Sequence, residues 1–182
     1  MASIKEKIAY ALGDAAAGGI VWKVMSIAFP LFFTNVFGLS FADAAVLMLV
    51  ARMFDVVTDP LMGSLADRTQ SRFGTYRPWL IFGAIPFGLI FALLLYTPDF
   101  GPVGKRIYAY TLYLLMMAVY TMVNVPYGSL LGVMTEDDNE TNQFSSFRMV
   151  GAYAMGFITL LSFPYLQKMV GGTDAHQYAV IG

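Results

Sequence analysis

Leu49-Val-Ala-Arg52-Met-Phe-Asp55-Val-Val-Thr58-Asp59-Pro60 sets two carboxylates one helical turn apart inside an apolar stretch. Arg52 stands three residues before the first of them. At spacings of three and four, all three side chains share one face of a helix. Both flanks are hydrophobic enough to lie in a bilayer, where an ionisable residue costs roughly 2.5–3.5 kcal/mol on insertion scales. Charges at that depth mark an ion or substrate path, or else an ion pair that only ties helices together. Two acids beside one base leave a carboxylate over for another partner, which favours the path. Carboxylate oxygens and the Thr58 hydroxyl are hard donors, suited to Na⁺, Li⁺ or a proton rather than to a soft metal. The two acids also repel, so a cation between them makes the pair a switch between empty and loaded states. Pro60 is expected to disturb helical geometry at Asp59 and to free a backbone carbonyl nearby.

The rest of the composition agrees with a membrane setting. The 182 residues are 58% hydrophobic and only 13% charged, against about 45–50% and about 25% in soluble domains. Mean hydropathy is +0.63. A net charge of −1 offers no basic surface for nucleic acid. There is no Cys, which excludes disulfides and thiolate chemistry. The single His176 falls in a polar loop with Gly171-Gly-Thr-Asp174, and no nucleophile–His–acid arrangement is available. An enzyme is therefore disfavoured. The N-terminus enters a long apolar segment with no cleavable signal peptide in view.

At about 20 apolar residues per crossing, spans are predicted roughly over 8–37, 44–65, 79–96, 107–133 and 144–166, with a sixth beginning at 178 and stopping at Gly182. The first is interrupted by Gly18-Gly19 and Pro30, so a kink or tilt is expected there. Lys5, Lys7, Arg68, Arg72 and Arg77 lie on one side, and Lys105, Arg106 and Lys168 on the other. That bias sets the N-terminus in the cytoplasm. The second and third spans are joined by Gly63-Ser-Leu-Ala-Asp67-Arg68-Thr-Gln-Ser-Arg72-Phe-Gly74-Thr-Tyr-Arg77-Pro-Trp79. Gly63 is expected to let helices approach closely. Asp67 is expected to accept from the N–H groups of a neighbouring helix or to pair with an Arg.

This loop resembles the signature loop of the major facilitator superfamily. The Arg52-x-x-Asp55-x-x-x-Asp59-Pro60 run, with Asn124-Val-Pro126-Tyr127-Gly128-Ser129 and Phe147-Arg148, resembles the glycoside-pentoside-hexuronide:cation symporter family within it. The resemblance covers nearly the whole chain. It implies an all-α membrane protein, the N-terminal six-helix half of a major facilitator fold with its sixth helix truncated. The implied activity is symport of a sugar, glycoside or uronide with Na⁺ or H⁺ at the inner membrane. The other wall of the site would come from a C-terminal half or a second copy. The alternative is a truncated subunit with no transport of its own.

Residue by residue, the resemblance implies that Asp55 and Asp59 are the acidic cation ligands. Thr58 stands where the family's best-known pattern has an Asn ligand, and Thr121 matches a further cation-site Thr. Asn124 and Gly128 fall at saccharide-binding positions whose usual residues are Asp and Trp. Arg148 matches a saccharide-binding Arg. The Lys-Asp pair that contacts sugar from the first helix has no counterpart, since Ala16-Ala17-Gly18-Gly19 occupies that region. Three readings stay open for Lys23 in the first span: pairing with Asp55 or Asp59, meeting an anionic saccharide, or reaching an interface. Asp14 is expected to pair with an Arg rather than to bind sugar. Tyr120, Thr121, Asn124 and Gly128 share one face of the fourth span, as a cavity lining does.

Overall fold

The apolar runs become five helices among the described residues, and no strand is present there. The computed structural model describes residues 3–35, 37–96, 98 and 100–170, leaving aside the side chains of Leu95 and 163–170. The expected sixth span from Tyr178, the loop holding Asp174 and His176, and the Lys168 side chain lie outside that set. The helices are α1 (Ile4–Asn35), α2 (Phe41–Asp67), α3 (Arg77–Leu95), α4 (Pro102–Met134) and α5 (Asp138–Val170). Each runs past its apolar stretch at one or both ends, because helical hydrogen bonding continues to the nearest cap rather than stopping where hydropathy falls. Ser3 caps α1 through a reciprocal pair, with Glu6 N–H donating to Ser3 Oγ and Ser3 N–H to Glu6 Oε2. Ser40 caps α2 by accepting from Asp43 N–H at 3.0 Å.

Helices α1, α3, α4 and α5 are each long and apolar enough to cross a membrane. Helix α2 is set apart by Arg52, Asp55 and Asp59 near its middle. Its 27 residues still reach about 40 Å at about 1.5 Å per residue. That exceeds the roughly 30 Å of a bilayer core. The predicted disturbance at Asp59 is absent, for α2 stays helical through Asp59 and Pro60. Pro60 only withholds an N–H from the Val56 carbonyl. In an apolar medium the remaining backbone bonds have no water to exchange with, so one missing bond does not open the helix. In α1 the expected irregularity takes a specific form. Ala15–Val21 and Val24–Ala28 wind as π-helix, with Trp22 and Lys23 between them.

The chain divides into two compact units. One holds Met1–Leu31 with Leu131–Gly171, and the other holds Phe32–Leu130. In the first unit α1 and α5 run parallel. Lys7 donates to Gln143 Oε1, Tyr10 meets Phe144 edge-on at 5.7 Å, and Asp14 meets Arg148. Farther along, Gly19 faces Ala152 and Met155. A Cβ on Gly19 would stand 2.7 Å from Met155 Cβ and 2.9 Å from the Ala152 carbonyl oxygen. Only glycine allows this approach, the device by which helices pack in lipid.

In the second unit Phe33 packs edge-on against Tyr113, and Phe37 stacks on Tyr108. Asp43 takes Arg106 Nη2 at 3.0 Å on Oδ2, and its carbonyl accepts from Tyr110 at 2.8 Å. With Asp59 on Thr121, these contacts lay α2 parallel to α4. Gly63 faces α4 without being pressed by it, since a Cβ there would lie 3.8 Å from Val125 Cγ1, an ordinary contact. The close approach expected at Gly63 occurs instead at Gly19, and at Gly83 of α3, where an added Cβ would stand 2.6 Å from Val123 Cγ2.

Gly19→Ala should cost about 1–3 kcal/mol by overpacking, seen as a lower thermal midpoint in detergent. Gly88→Ala, where an added Cβ meets open space, should leave the midpoint unchanged or slightly higher.

Candidate functional site

The middle of α2 orders its three charges as their spacing predicts and then adds partners. Arg52 Nη1 lies 3.5 Å from Asp55 Oδ2. The Arg52 side chain is 56% exposed and that of Asp55 17%. This is one bond on one oxygen. The other oxygen, Asp55 Oδ1, is buried and has no hydrogen-bond partner among the described residues. A buried carboxylate oxygen left bare is costly, and it is the chemistry that a cation or a proton satisfies.

One turn on, Asp59 is tied across to α4, where the buried Thr121 donates its hydroxyl to Asp59 Oδ1 at 2.9 Å. Thr58 donates its own hydroxyl back to the Phe54 carbonyl at 3.0 Å. Its oxygen lone pairs remain the part available to a cation. Among the described residues there is no cluster of three or more His, Asp or Glu that could hold a metal. The donor set is therefore two carboxylates supplemented by hydroxyls. That suits a weakly held monovalent ion better than a tightly bound transition metal.

Asn124 and Gly128 follow Thr121 on α4 at three and seven residues, hence on the same side of the helix. Both are partly exposed. Arg148 and Lys23 belong to the other unit. Arg148 Nε lies 3.5 Å from Asp14 Oδ2, with the Arg148 side chain 37% exposed and Asp14 11%. Asp14 thus pairs with an Arg, as expected.

The loop between α2 and α3 is held by its own side chains. Tyr76 donates its hydroxyl to Asp67 Oδ1 at 2.8 Å. Trp79 Nε1 donates to Thr69 Oγ1 at 3.0 Å, and Thr69 donates in turn to the Leu65 carbonyl. Arg68 caps α2, and Arg77 opens α3. The Arg72 guanidinium lies 4.7 Å from the centre of the Phe73 ring. Gly74 takes φ +93°, a left-handed turn that glycine adopts freely, and the Ser71 hydroxyl donates to its carbonyl. Asp67 therefore takes a tyrosine hydroxyl, which the sequence reading did not name. The Asp43–Arg106 tie at the other end of α2 was also missed. Its signal was Ser40-x-x-Asp43, a capping pattern next to an interhelical acid.

A sequence profile described as "MFS/sugar transport protein" matches residues 9–182. This chain belongs to that family. Its relatives include "Putative glycoside/cation symporter YagG" of Escherichia coli (strain K12), 49% identical over 152 residues, covering 84% of this chain and 33% of YagG. "Inner membrane symporter YicJ" of the same organism is 44% identical over 172 residues, 94% of this chain and 37% of YicJ. "Isoprimeverose transporter" of Lactiplantibacillus pentosus is 30% identical over 179 residues, 97% and 37% of the two chains. The chain spans about a third of the length of these relatives. The family is one of transporters rather than enzymes. With four long apolar helices, this member is an integral membrane protein.

Asp67 accepting the Tyr76 hydroxyl pushes that phenol above its ordinary value. A raised folded-state value means the bond is fully present below the ordinary phenol range and is lost as the pH rises through the raised value. Alkaline absorbance titrations of the protein and of Tyr76→Phe should differ by one tyrosine, and that tyrosine should be missing from the part of the curve above the ordinary phenol range.

Proposed function

We propose that this chain is the N-terminal half of a secondary transporter that moves a saccharide together with Na⁺ or H⁺ across the inner membrane, with its N-terminus in the cytoplasm. The observation that carries the reading is the bare, buried Asp55 Oδ1 one turn from Asp59, in a helix otherwise built for lipid. The symporter names among the relatives support it from outside the structure.

On this reading the cation binds by Asp55 and Asp59, with Thr58 and Thr121 as hydroxyl neighbours. Arg52 holds the second Asp55 oxygen and so limits how far that carboxylate can turn. Neutralising the acids removes the charge that opposes movement of the loaded carrier through an apolar medium. A carrier with one ligand missing keeps an uncompensated charge and is held back. That difference couples the two fluxes.

Asn124, Gly128 and Arg148 are each assigned to the saccharide. An amide both donates and accepts, and a guanidinium offers five donors, which suits hydroxyl-rich ligands. Gly63, Asp67, Arg68, Arg72 and Arg77 are assigned to movement rather than binding, since they lie at or near the α2–α3 turn, where Asp67 accepts from Tyr76 and Arg72 lies over Phe73. A C-terminal half or a second copy supplies the facing wall. The Lys-rich and Arg-rich loops, with five such residues on the N-terminal side against three opposite, support the orientation.

In the transporter that contains this chain, Asp55→Asn and Asp59→Asn should each abolish cation-driven accumulation of labelled glycosides in membrane vesicles. Thr121→Val, which removes only the hydroxyl on Asp59, should raise the half-saturating cation concentration about tenfold, the worth of one charge-assisted hydrogen bond. Accumulation that still responds to the cation gradient in both Asn variants would overturn the reading.

A further inference from the structure

The end of the second unit away from the α2–α3 turn holds a cavity of about 400 Å³, within the roughly 300–1,000 Å³ of ordinary ligand pockets. It lies where the chain entering α2 meets the start of α4. Neither the acids in mid-α2 nor the residues assigned to the saccharide line it. One wall is aromatic. Phe37 stacks on Tyr108 at 6.1 Å, and Phe100 meets the same ring edge-on at 6.0 Å. The other wall is polar, with Ser40, Asp43, Lys105 and Arg106 on it.

The charges on that wall do not balance. Asp43 Oδ2 takes Arg106 Nη2 at 3.0 Å and the Ser40 hydroxyl at 2.8 Å. The guanidinium is thereby held in place with only part of its five donors used. Lys105 is half-buried and has no acid partner among the described residues. Both cations lie in the opening turns of α4, which begins at Pro102 and has no acid in its first turn. A helix start is itself partly positive and favours negative charge. Two cations and a positive helix end are met here by one carboxylate, an imbalance that an anion corrects.

The depth of the cavity says which anion. The 33 residues of α4 reach about 50 Å at about 1.5 Å per residue, well past the roughly 30 Å of a hydrocarbon core. Its first residues therefore stand at headgroup level. Tyr108 and Tyr110, with hydroxyls on the Leu93 and Asp43 carbonyls, are the aromatic residues usual at that level. Val103 and Ile107 flank the two cations along α4 and are exposed, so apolar surface leads away directly from the charges.

We propose that this cavity holds the phosphate group of an acidic phospholipid, with Lys105 and Arg106 as its donors and the acyl chains beside Val103 and Ile107. An ammonium and a guanidinium both form short, charge-assisted bonds to phosphate oxygens. A soluble phosphate would use the charges and leave the neighbouring apolar surface bare. A zwitterionic headgroup brings a cation of its own to a place already rich in positive charge, so the acidic lipid is preferred. Binding of this kind needs only a protein inserted in a membrane and is independent of what is transported.

The test is native mass spectrometry of the full transporter, stripped of lipid in a neutral detergent and given phosphatidylglycerol or phosphatidylcholine with the same acyl chains. The unmodified protein is compared with Lys105→Gln, Lys105→Arg and Lys5→Gln, the last removing an equal charge from an exposed residue near the N-terminus. The unmodified protein should bind phosphatidylglycerol more tightly than phosphatidylcholine. Lys105→Gln should weaken phosphatidylglycerol binding about tenfold, the worth of one charge-assisted hydrogen bond. Lys105→Arg and Lys5→Gln should stay near the unmodified value. Equal affinity in Lys105→Gln and the unmodified protein, an equal loss in Lys5→Gln, or no preference over phosphatidylcholine overturns the inference. So does binding of free glycerol phosphate as tight as that of the lipid, which would mark a site for a soluble phosphate.

Discussion

An ionisable side chain inside a bilayer is stable only where another group answers it, and the placement of charge in this chain follows from that constraint. Asp14 and Arg148 answer each other between α1 and α5. Asp43 and Arg106 do so between α2 and α4. Arg52 answers one oxygen of Asp55, and Thr121 one oxygen of Asp59. Among the described residues one buried side-chain oxygen, Asp55 Oδ1, is left without a partner. Such pairs hold helices together and use up part of each group's bonding capacity. A bare buried oxygen is a place where a cation or a proton can lower the free energy of the protein by binding.

The same medium explains how the helices meet. Lipid tails are as apolar as leucine, so burial gives helices little reason to associate, and close van der Waals contact takes its place. Gly19 against Met155 and Ala152 brings two backbones together over the length of α1 and α5. The partner of each α1 residue advances with it from Lys7 to Lys23, which holds the pair in one register. That contact also lets α1 carry two π-helical runs, because a packed neighbour restrains turns that would be unstable on an isolated helix.

Much of this was legible in the chain. The three-and-four spacing of Arg52, Asp55 and Asp59 predicted a shared face, and the long apolar runs predicted helices. The Asp14 pairing was anticipated in kind. Other features were not. Pro60 was expected to disturb Asp59 and does not, since a buried helix has no water waiting to replace its bonds. Gly63 was expected to mark a close approach, and the tight ones fall instead at Gly19 and Gly83. Small residues are common in apolar helices, and only the neighbour's position says which one is pressed. The Tyr76 tie on Asp67 was missed because a hydroxyl nine residues away leaves no periodic trace.

Composition and spacing alone determined that this is an all-helical membrane protein with two acids one helical turn apart in an apolar stretch, because bilayer thickness and helical pitch act on the local sequence. Likeness of motif added the transporter family. Tertiary structure decided which oxygen of Asp55 stays bare, that Thr121 joins Asp59 from 62 residues away, and that the Lys23 stem rests on Gly156. Those outcomes depend on which helix faces are brought together, and such contacts between residues distant along the chain have no fixed period in the sequence.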